Sequence, residues 1–540
     1  MRLLYLLLAA PLAAFGQVTL DSTHLPIVII KTGGLPILDE PKLPAQMQVI
    51  DNGPGKMNHL NDPPNHYNGH IGIELRGSSS QWPDKKPYAV ETRNADGSDH
   101  AVQLLGLPKE SDWVFLAPFS DKTLVRDAFA YELARRTMPW ASGYRFVELV
   151  LNGQYRGIYI VTEKIKRDKA RVDISKLDSD DLAGDSLTGG YIIKIDKPTG
   201  SNSEGWQSPY PAIPGGWQTT TYQYHYPKQD EIAPQQKQYI QKWMTDFENA
   251  MQGPQHNDPT LGYAKYLDVE SFVDFTLINE IAKNVDGYRL STFFHKDRDS
   301  KDPRLHAGPV WDFNIAFGNA DYCTCNQYTG WAMDFNDHCG GGDWVVHYWW
   351  RKMWEDPDYR RRLSERWKSL RSGPFTDAKV MGIVDSLIAI VKPAQARNFA
   401  QWPILNQWVW PNAYCCGPYT AHVQYFRQWT LNRMHWMDNG MKTLHIGEYD
   451  EREYFAPHIF PNPADGQQPV TVEFYGYYGE PVTLRVYDTA GRLVEQQAST
   501  PEFNGTGRFT WQPNLPAGLY FYEIFLNGKP KSTGRVVVVR

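Results

Sequence analysis

Cysteine is scarce and confined to one half of the chain: five residues in 540, Cys323, Cys325, Cys339, Cys415 and Cys416. That distribution excludes a disulfide framework for the first 322 residues. A basic excess is also missing. Lys and Arg total 55 against 61 Asp and Glu, a formal net charge of -6, which leaves no electrostatic footprint for nucleic acid as a partner. Beyond the first residues no apolar run approaches the ~20 residues of a bilayer span, so no transmembrane span is expected in the mature chain. Internal repeats and low-complexity tracts are absent as well, which sets solenoids aside.

What is present is an ordinary globular balance, 41% hydrophobic and 21% charged, over a length for which two to three domains is the expectation. Nineteen Trp and 31 Tyr stand out. Large amphipathic aromatics suit cores and carbohydrate or protein contact surfaces alike. The opening MRLLYLLLAAPLAAFGQ reads as a secretory signal peptide over residues 1–16. Arg2 is its positive start, Leu3 to Ala14 its apolar stretch, and Ala14-Phe15-Gly16 its cleavage site before Gln17. A membrane anchor, the alternative, requires a longer run. Export favours disulfides, and an odd count leaves one thiol over. Cys323 or Cys325 with Cys339, or the Cys415-Cys416 pair, are the open pairings, with a metal near His338 as the alternative.

The pattern along the chain is that of an α+β protein. Val28 to Ile30 is strand-like, and a Pro/Gly/Asn-rich stretch runs from there to about residue 69. Short alternating segments follow at 71–76, 88–92, 145–151 and 157–162, with Asn152-Gly153 as a hairpin turn between the last two. Residues 122–136 carry a helical pattern, and from 235 amphipathic helices are expected at 235–251, 269–281, 359–370, 377–390 and 420–444. After Gly447 short strands return at 470–474, 482–487, 508–511, 518–524 and 535–539, the signature of a small all-β sandwich.

Three polar clusters interrupt apolar segments. The first is Arg76-Gly-Ser78-Ser-Ser-Gln-Trp-Pro-Asp-Lys85-Lys86, a Gly/Ser turn with fixed positive charge that suits a polyphosphate or, more blandly, a solvated hairpin. Glu163-Lys164, at the end of a strand, is either a surface pair or a carboxylate aligning a phosphate-binding lysine. The third runs from Asn279-Glu280 through Asn284 and Asp286 to Asp312 in GPVWDFNIAFGNAD. An Asn and two Asp at the ends of buried segments suit Mg²⁺ beside phosphate oxygens, though capping explains any one of them singly.

Taken together, RGSSSQWPDKKPY, GQYRGIYIVTEKIKRDKARVDI, NEIAKNVDGYRLSTFFHKD and GPVWDFNIAFGNADY resemble the CotH family of spore-coat-type atypical protein kinases, in order from about residue 70 to 435. The resemblance implies a diverged protein-kinase-like fold over residues 17–447, ATP with Mg²⁺ (or Mn²⁺) as cofactor, and phosphoryl transfer to Ser or Thr of a secreted or surface protein. It implies Asp286 as the catalytic-loop-like aspartate and Asp312 as the metal-binding aspartate, with Asn284 and Asn314 beside the metal. Arg76, Ser78, Lys85, Lys86, Glu163 and Lys164 are implied around the nucleotide. Asn314 departs from members that carry a second Asp there, and G-x-G-x-x-G and HRD sequences are missing. A catalytically silent adhesion or scaffold protein, or transfer of the nucleotidyl moiety, are the alternatives.

A second resemblance covers about residues 455–540. Ile459-Phe-Pro-Asn-Pro463, Val486-Tyr-Asp-Thr-Ala-Gly-Arg492, Leu515-Pro-Ala-Gly-Leu-Tyr520 and Gly534-Arg-Val-Val-Val are similar to the type IX secretion C-terminal sorting domain, an Ig-like sandwich. It implies an outer-membrane secretion machinery as partner and the cell surface or medium as destination.

Overall fold

A computed structural model describes residues 18–199, 203–339, 344–444, 457–465, 468–475, 481–499, 506–512, 514–526 and 528–539. The signal peptide expected over 1–16 and the boundary expected between 447 and 455 lie outside them. The chain is mixed α+β and divides into two compact units, one made of Met1–Glu132, Trp140–Asp173 and Ile383–His422, the other of the remainder.

The first unit is built on a closed barrel. Its strands, in order around the wall, are Ile27–Lys31, Leu43–Ile50, Tyr67–Leu75, Tyr88–Arg93, Asp112–Leu116, Gln154–Glu163 and Tyr144–Leu151. Every pairing is antiparallel except Ile27–Lys31 on Tyr144–Leu151, the parallel pair that closes the wall. Alternation places Val28, Ile30, Met47, Val49, Ile71, Ile73, Val90, Phe115, Leu149 and Val161 inward as one apolar core. The expected hairpin is present, with Leu151 opposite Gln154 across Asn152-Gly153. The Pro/Gly/Asn-rich stretch differs from expectation, because it contains the eight-residue strand Leu43–Ile50.

The second unit holds a five-stranded antiparallel sheet ordered Gly205–Pro211, Thr219–Tyr226, Tyr191–Ile195, Thr292–Lys296, Leu305–Ala307. The back half is therefore not simply helical. Helices Pro234–Gln252, Val269–Ala282, Tyr348–Glu355 and Pro357–Ser372 belong to the same unit. Val269–Ala282 is apolar nearly all round and buried at ten positions, so it is a core helix. Asp268 starts it by accepting the Ser271 N–H at 2.9 Å.

The described residues within 457–539 form two β-sheets. Sheets of three strands (His458–Phe460, Val470–Tyr475, Thr506–Trp511) and four strands (Leu493–Ser499, Val482–Tyr487, Gly518–Leu526, Lys529–Val538) share one core. Val472, Phe474, Leu484, Val486, Phe509, Trp511, Ile524 and Val536 fill it.

Candidate functional site

The Val269–Ala282 helix ends at Lys283, whose φ of 40° is the left-handed cap that turns the chain. The Lys283 ammonium is buried and donates to the carbonyls of Thr324 at 2.7 Å and Gln327 at 3.1 Å; burial pushes its pKa down to about 7. Asn284, also buried, uses both ends of its amide. Its Oδ1 accepts the Asp286 N–H at 3.2 Å and its Nδ2 donates to the Asp312 carbonyl at 3.3 Å. The side chain expected to ligate metal therefore braces the two loops that carry the aspartates. Gly287 is obligatory here, since a Cβ would lie 2.5 Å from the Asn279 Oδ1.

Backbone strain gathers around the same loops. Tyr288, Ser291, Asp312 and Phe317 have φ of 68°, 48°, 65° and 51°. Such conformations cost on the order of 1–3 kcal/mol each and collect where function over-determines them. The Tyr288 hydroxyl is held by Glu280 Oε1 at 2.9 Å, and the Phe317 N–H by the Ala282 carbonyl at 2.7 Å. Trp311, Phe313 and Phe317 are buried, whereas Asp286, Asp312 and Asn314 are only half-buried.

One side chain registers both aspartates. The Tyr322 phenol is pushed well above its usual range, first by burial and then by Asp286, with Asp312 adding to the effect and Arg289 opposing it. Burial is also the main cause that raises the Asp286 pKa; Arg289 and Lys197 pull it back and Asp196 adds to the rise. Arg289 is itself fixed, donating to the Val285 carbonyl at 2.7 Å and the Trp344 carbonyl at 3.1 Å beside the Cys323–Cys339 disulfide. The other disulfide joins Cys415 to Cys416, and Cys325 is the buried leftover thiol. Two half-buried carboxylates with an amide at Asn314 make a hard oxygen set, which fits Mg²⁺ or Mn²⁺ by donor chemistry.

The nucleotide-binding candidates all lie in the barrel unit, and the structure sorts them. Lys164 is half-buried, its pKa lowered chiefly by burial, raised by Asp112, and lowered again by Lys42, Lys166 and Arg76. The strongest charge acting on Lys164 is thus the Asp112 carboxylate, and the lysines around it are paired in turn, Lys42 with Glu91 at 2.9 Å and Lys166 with Asp112 at 2.8 Å. Ser78 opens the short turn Ser79–Gln81 without a side-chain capping bond, and the Lys86 ammonium donates to the Gln81 carbonyl at 2.6 Å. Lys85 is buried, donates to Asn398 Oδ1 at 3.0 Å, and has its pKa pushed down to about 7 by burial. Glu163 does not align Lys164. Its carboxylate meets buried Arg171 at 3.0 Å and accepts the Gly143 N–H at 2.9 Å, tying strand to turn.

Tyr322, Arg289, Lys197 and Asp196 are absent from the sequence reading of the site. Tyr322 and Arg289 sit inside motifs quoted for other residues, and Asp196-Lys197 follows the apolar strand Tyr191–Ile195. Among the described residues a further cluster, Asp268, Asp302 and His306, has ligand atoms within 4.8 Å of one another. Arg304 already neutralises it, at 2.9 Å from Asp268 and 2.7 Å from Asp302.

Comparison with known proteins adds the following. The family described as CotH kinase protein matches residues 73–437, and a secretion system C-terminal sorting domain matches residues 458–539. No curated protein matches the chain. Among solved structures, an alkylpurine DNA glycosylase from Pseudomonas fluorescens bound to DNA containing an abasic site analog aligns at 11% identity, with a TM-score of 0.13. The alignment covers 36% of this chain and 56% of that one, so the chain spans just over half its length; at that score the likeness carries no structural argument.

Proposed function

The chain belongs to the CotH kinase family, and on that footing we propose that it is an exported kinase on a diverged kinase-like fold, transferring the γ-phosphoryl of ATP to Ser or Thr of a secreted or surface protein. Its C-terminal sorting domain supports export through the type IX secretion machinery to the cell surface or extracellular space. Among the described residues no helix is long and apolar enough to cross a membrane.

The observation that carries the reading is the pair Asp286 and Asp312, both half-buried, on loops braced by Asn284 and both acting on Tyr322. Asp286 orients the acceptor hydroxyl and receives its proton, the task a raised carboxyl pKa suits. Asp312 and Asn314 would hold Mg²⁺, which when bound neutralises phosphate charge. In the barrel unit taken by itself, Arg76, Ser78, Lys86 and Lys164 are the candidates for phosphate oxygens. Lys85 and Glu163 serve by fixing the barrel around them.

The test is the thermal shift of the full chain with ATP, with and without Mg²⁺, followed by transfer of γ-phosphate label. A ligand specific for the folded state stabilises it by ~2.7 kcal/mol at a hundred times its Kd. A Mg²⁺-dependent rise that vanishes in Asp312→Ala supports the reading. No shift at millimolar ATP sinks it in favour of an adhesion or scaffold protein, to which the uncharged Asn314 already leans. Label moving from the α- rather than the γ-phosphate makes the reaction nucleotidyl transfer.

A further inference from the structure

The barrel unit carries an exposed indole platform, one member of which, Trp82, sits in the turn between Ser78 and Lys86. Trp82 is 77% exposed and Trp410 49%, with ring centroids 6.4 Å apart and planes tilted by 49°. Trp408, 56% exposed, lies two residues from Trp410 on the same segment. Contiguous exposed apolar surface of this kind marks a contact site more often than scattered single residues do.

The segment is long, uncharged and held in place. Between the helices Asp377–Gln401 and Tyr419–Thr443 run residues 402–418. Connections above roughly 12–15 residues without secondary structure are uncommon and usually functional. No Asp, Glu, Lys or Arg occurs from Trp402 to Ala421, in a chain that is 21% charged. The polar side chains on offer are neutral: exposed Asn406 and Gln407 and half-buried Tyr414. The Trp408 Nε1 donates to the Asn412 carbonyl at 2.9 Å, so its faces rather than its N–H are left for a ligand. Asn412 Nδ2 donates to the Ser120 carbonyl at 2.7 Å, Lys122 Nζ to the Gln407 carbonyl at 2.6 Å, and the Gly417 N–H to Asn406 Oδ1 at 2.9 Å. Opposite, the Trp82 loop is fixed by Gln81 Nε2, which donates to the Gly77 carbonyl at 2.6 Å and to Asp39 Oδ1 at 2.8 Å.

We propose that the Trp82–Trp410 platform, with Trp408, binds a neutral polysaccharide. Indole faces stack on the C–H faces of pyranose rings, neutral amides answer the hydroxyls, and rigid aromatics lose little entropy on binding. The Trp408–Trp410 segment offers no cation to a phosphorylated, acidic or lipid-headgroup ligand, and beside Trp82 stands exposed Asp84, while the Lys86 ammonium already donates to the Gln81 carbonyl. A chain exported to the cell surface or beyond meets such polymers there.

The test is affinity electrophoresis of the full chain through gels containing dextran, laminarin, mannan or xylan. At least one polymer is expected to retard it. Trp82→Ala and Trp410→Ala should each weaken binding at least tenfold, about 1.4 kcal/mol. Trp217→Ala, which removes an indole 80% exposed in the other unit, should leave it unchanged. Thermal midpoints confirm that the variants fold. Retardation by none of the four polymers, equal loss in Trp217→Ala, or binding of poly-L-proline in place of any glycan overturns the proposal. So does loss of the ATP-dependent thermal shift in the Trp82 and Trp410 variants, which would assign the platform to the nucleotide.

Discussion

Replacing Arg433 with methionine tests how the aspartate loops are held. Its guanidinium is wholly buried, with Nη2 on Glu280 Oε2 at 3.0 Å, Nε on the Glu280 carbonyl at 2.7 Å, and Nη1 on the carbonyls of Tyr328 at 2.9 Å and Gly330 at 2.6 Å. Glu280, equally buried, keeps three other donors: the Ala332 N–H at 2.7 Å, the Met333 N–H at 3.1 Å and the Tyr288 hydroxyl at 2.9 Å. Methionine fills similar volume but leaves the carboxylate without its cation and two carbonyls without donors. Removing one member of a buried pair costs about 3–5 kcal/mol, and the three surviving donors place the expected loss near 4 kcal/mol within that range. Urea unfolding followed by Trp fluorescence reads it directly, because Trp436 and Trp331 lie 4.6 and 5.8 Å from the guanidinium. The pH dependence has a defined sign. Burial already raises the Glu280 pKa above 4.5, and loss of Arg433 raises it further. The folded state then takes up its proton before the unfolded state, so the penalty is full above the raised value and shrinks as pH falls through it. A loss under ~1 kcal/mol, the worth of a surface pair, refutes the argument. So does a penalty that grows on acidification.

Lys85→Met is expected to flatten the stability profile between about pH 7 and pH 9: the folded-state pKa near 7 means that the unfolded chain binds more protons there, so the wild type gains up to about 1.4 kcal/mol per pH unit that the variant lacks. Parallel profiles for the two proteins would show that the ammonium is hydrated. A thiol reagent is expected to find no reactive cysteine in the native chain and one after denaturation, the buried Cys325 whose thiol is pushed up to about 12; three thiols would contradict one of the two pairings and five would contradict both. Asp286→Asn is expected to lower phosphoryl transfer about 10²–10⁴-fold while the ATP-dependent thermal shift persists, which transfer and melting assays read separately.

The barrel was legible where period-two alternation coincided with β-branched and aromatic composition, as in Arg145–Leu151 and the strand after Asn152-Gly153. Leu43–Ile50 has the same alternation, Leu, Ala, Met and Val at every second position, and Ala45, Met47 and Val49 are buried. Pro44 and two glutamines on the other face hid it, because composition was weighed above period. The edge strand Gly205–Pro211 pairs with Thr219–Tyr226 across a register shift, and Thr219–Tyr226 in turn pairs with Tyr191–Ile195 across another. Their order depends on contacts that no local window contains.

The site divides along the same line. Asp286 and Asp312 stood out because a carboxylate amid aromatic and aliphatic residues is an anomaly visible in a few letters. Partners separated in the chain did not. Arg171 reaches Glu163 from eight residues on, and Asn398 reaches Lys85 and the Ile158 N–H from more than two hundred. Glu163-Lys164 shows why adjacency misleads. The strand ends at Glu163, and successive side chains of a strand leave on opposite faces. Neighbours in sequence there are therefore poor candidates for a pair: Glu163 turns to Arg171 in the interior, while the strongest charge acting on Lys164 is Asp112. Lys164 is only half-buried, whereas Lys85 is buried and tied to Asn398, which is why Lys164 is the stronger candidate for a phosphate oxygen.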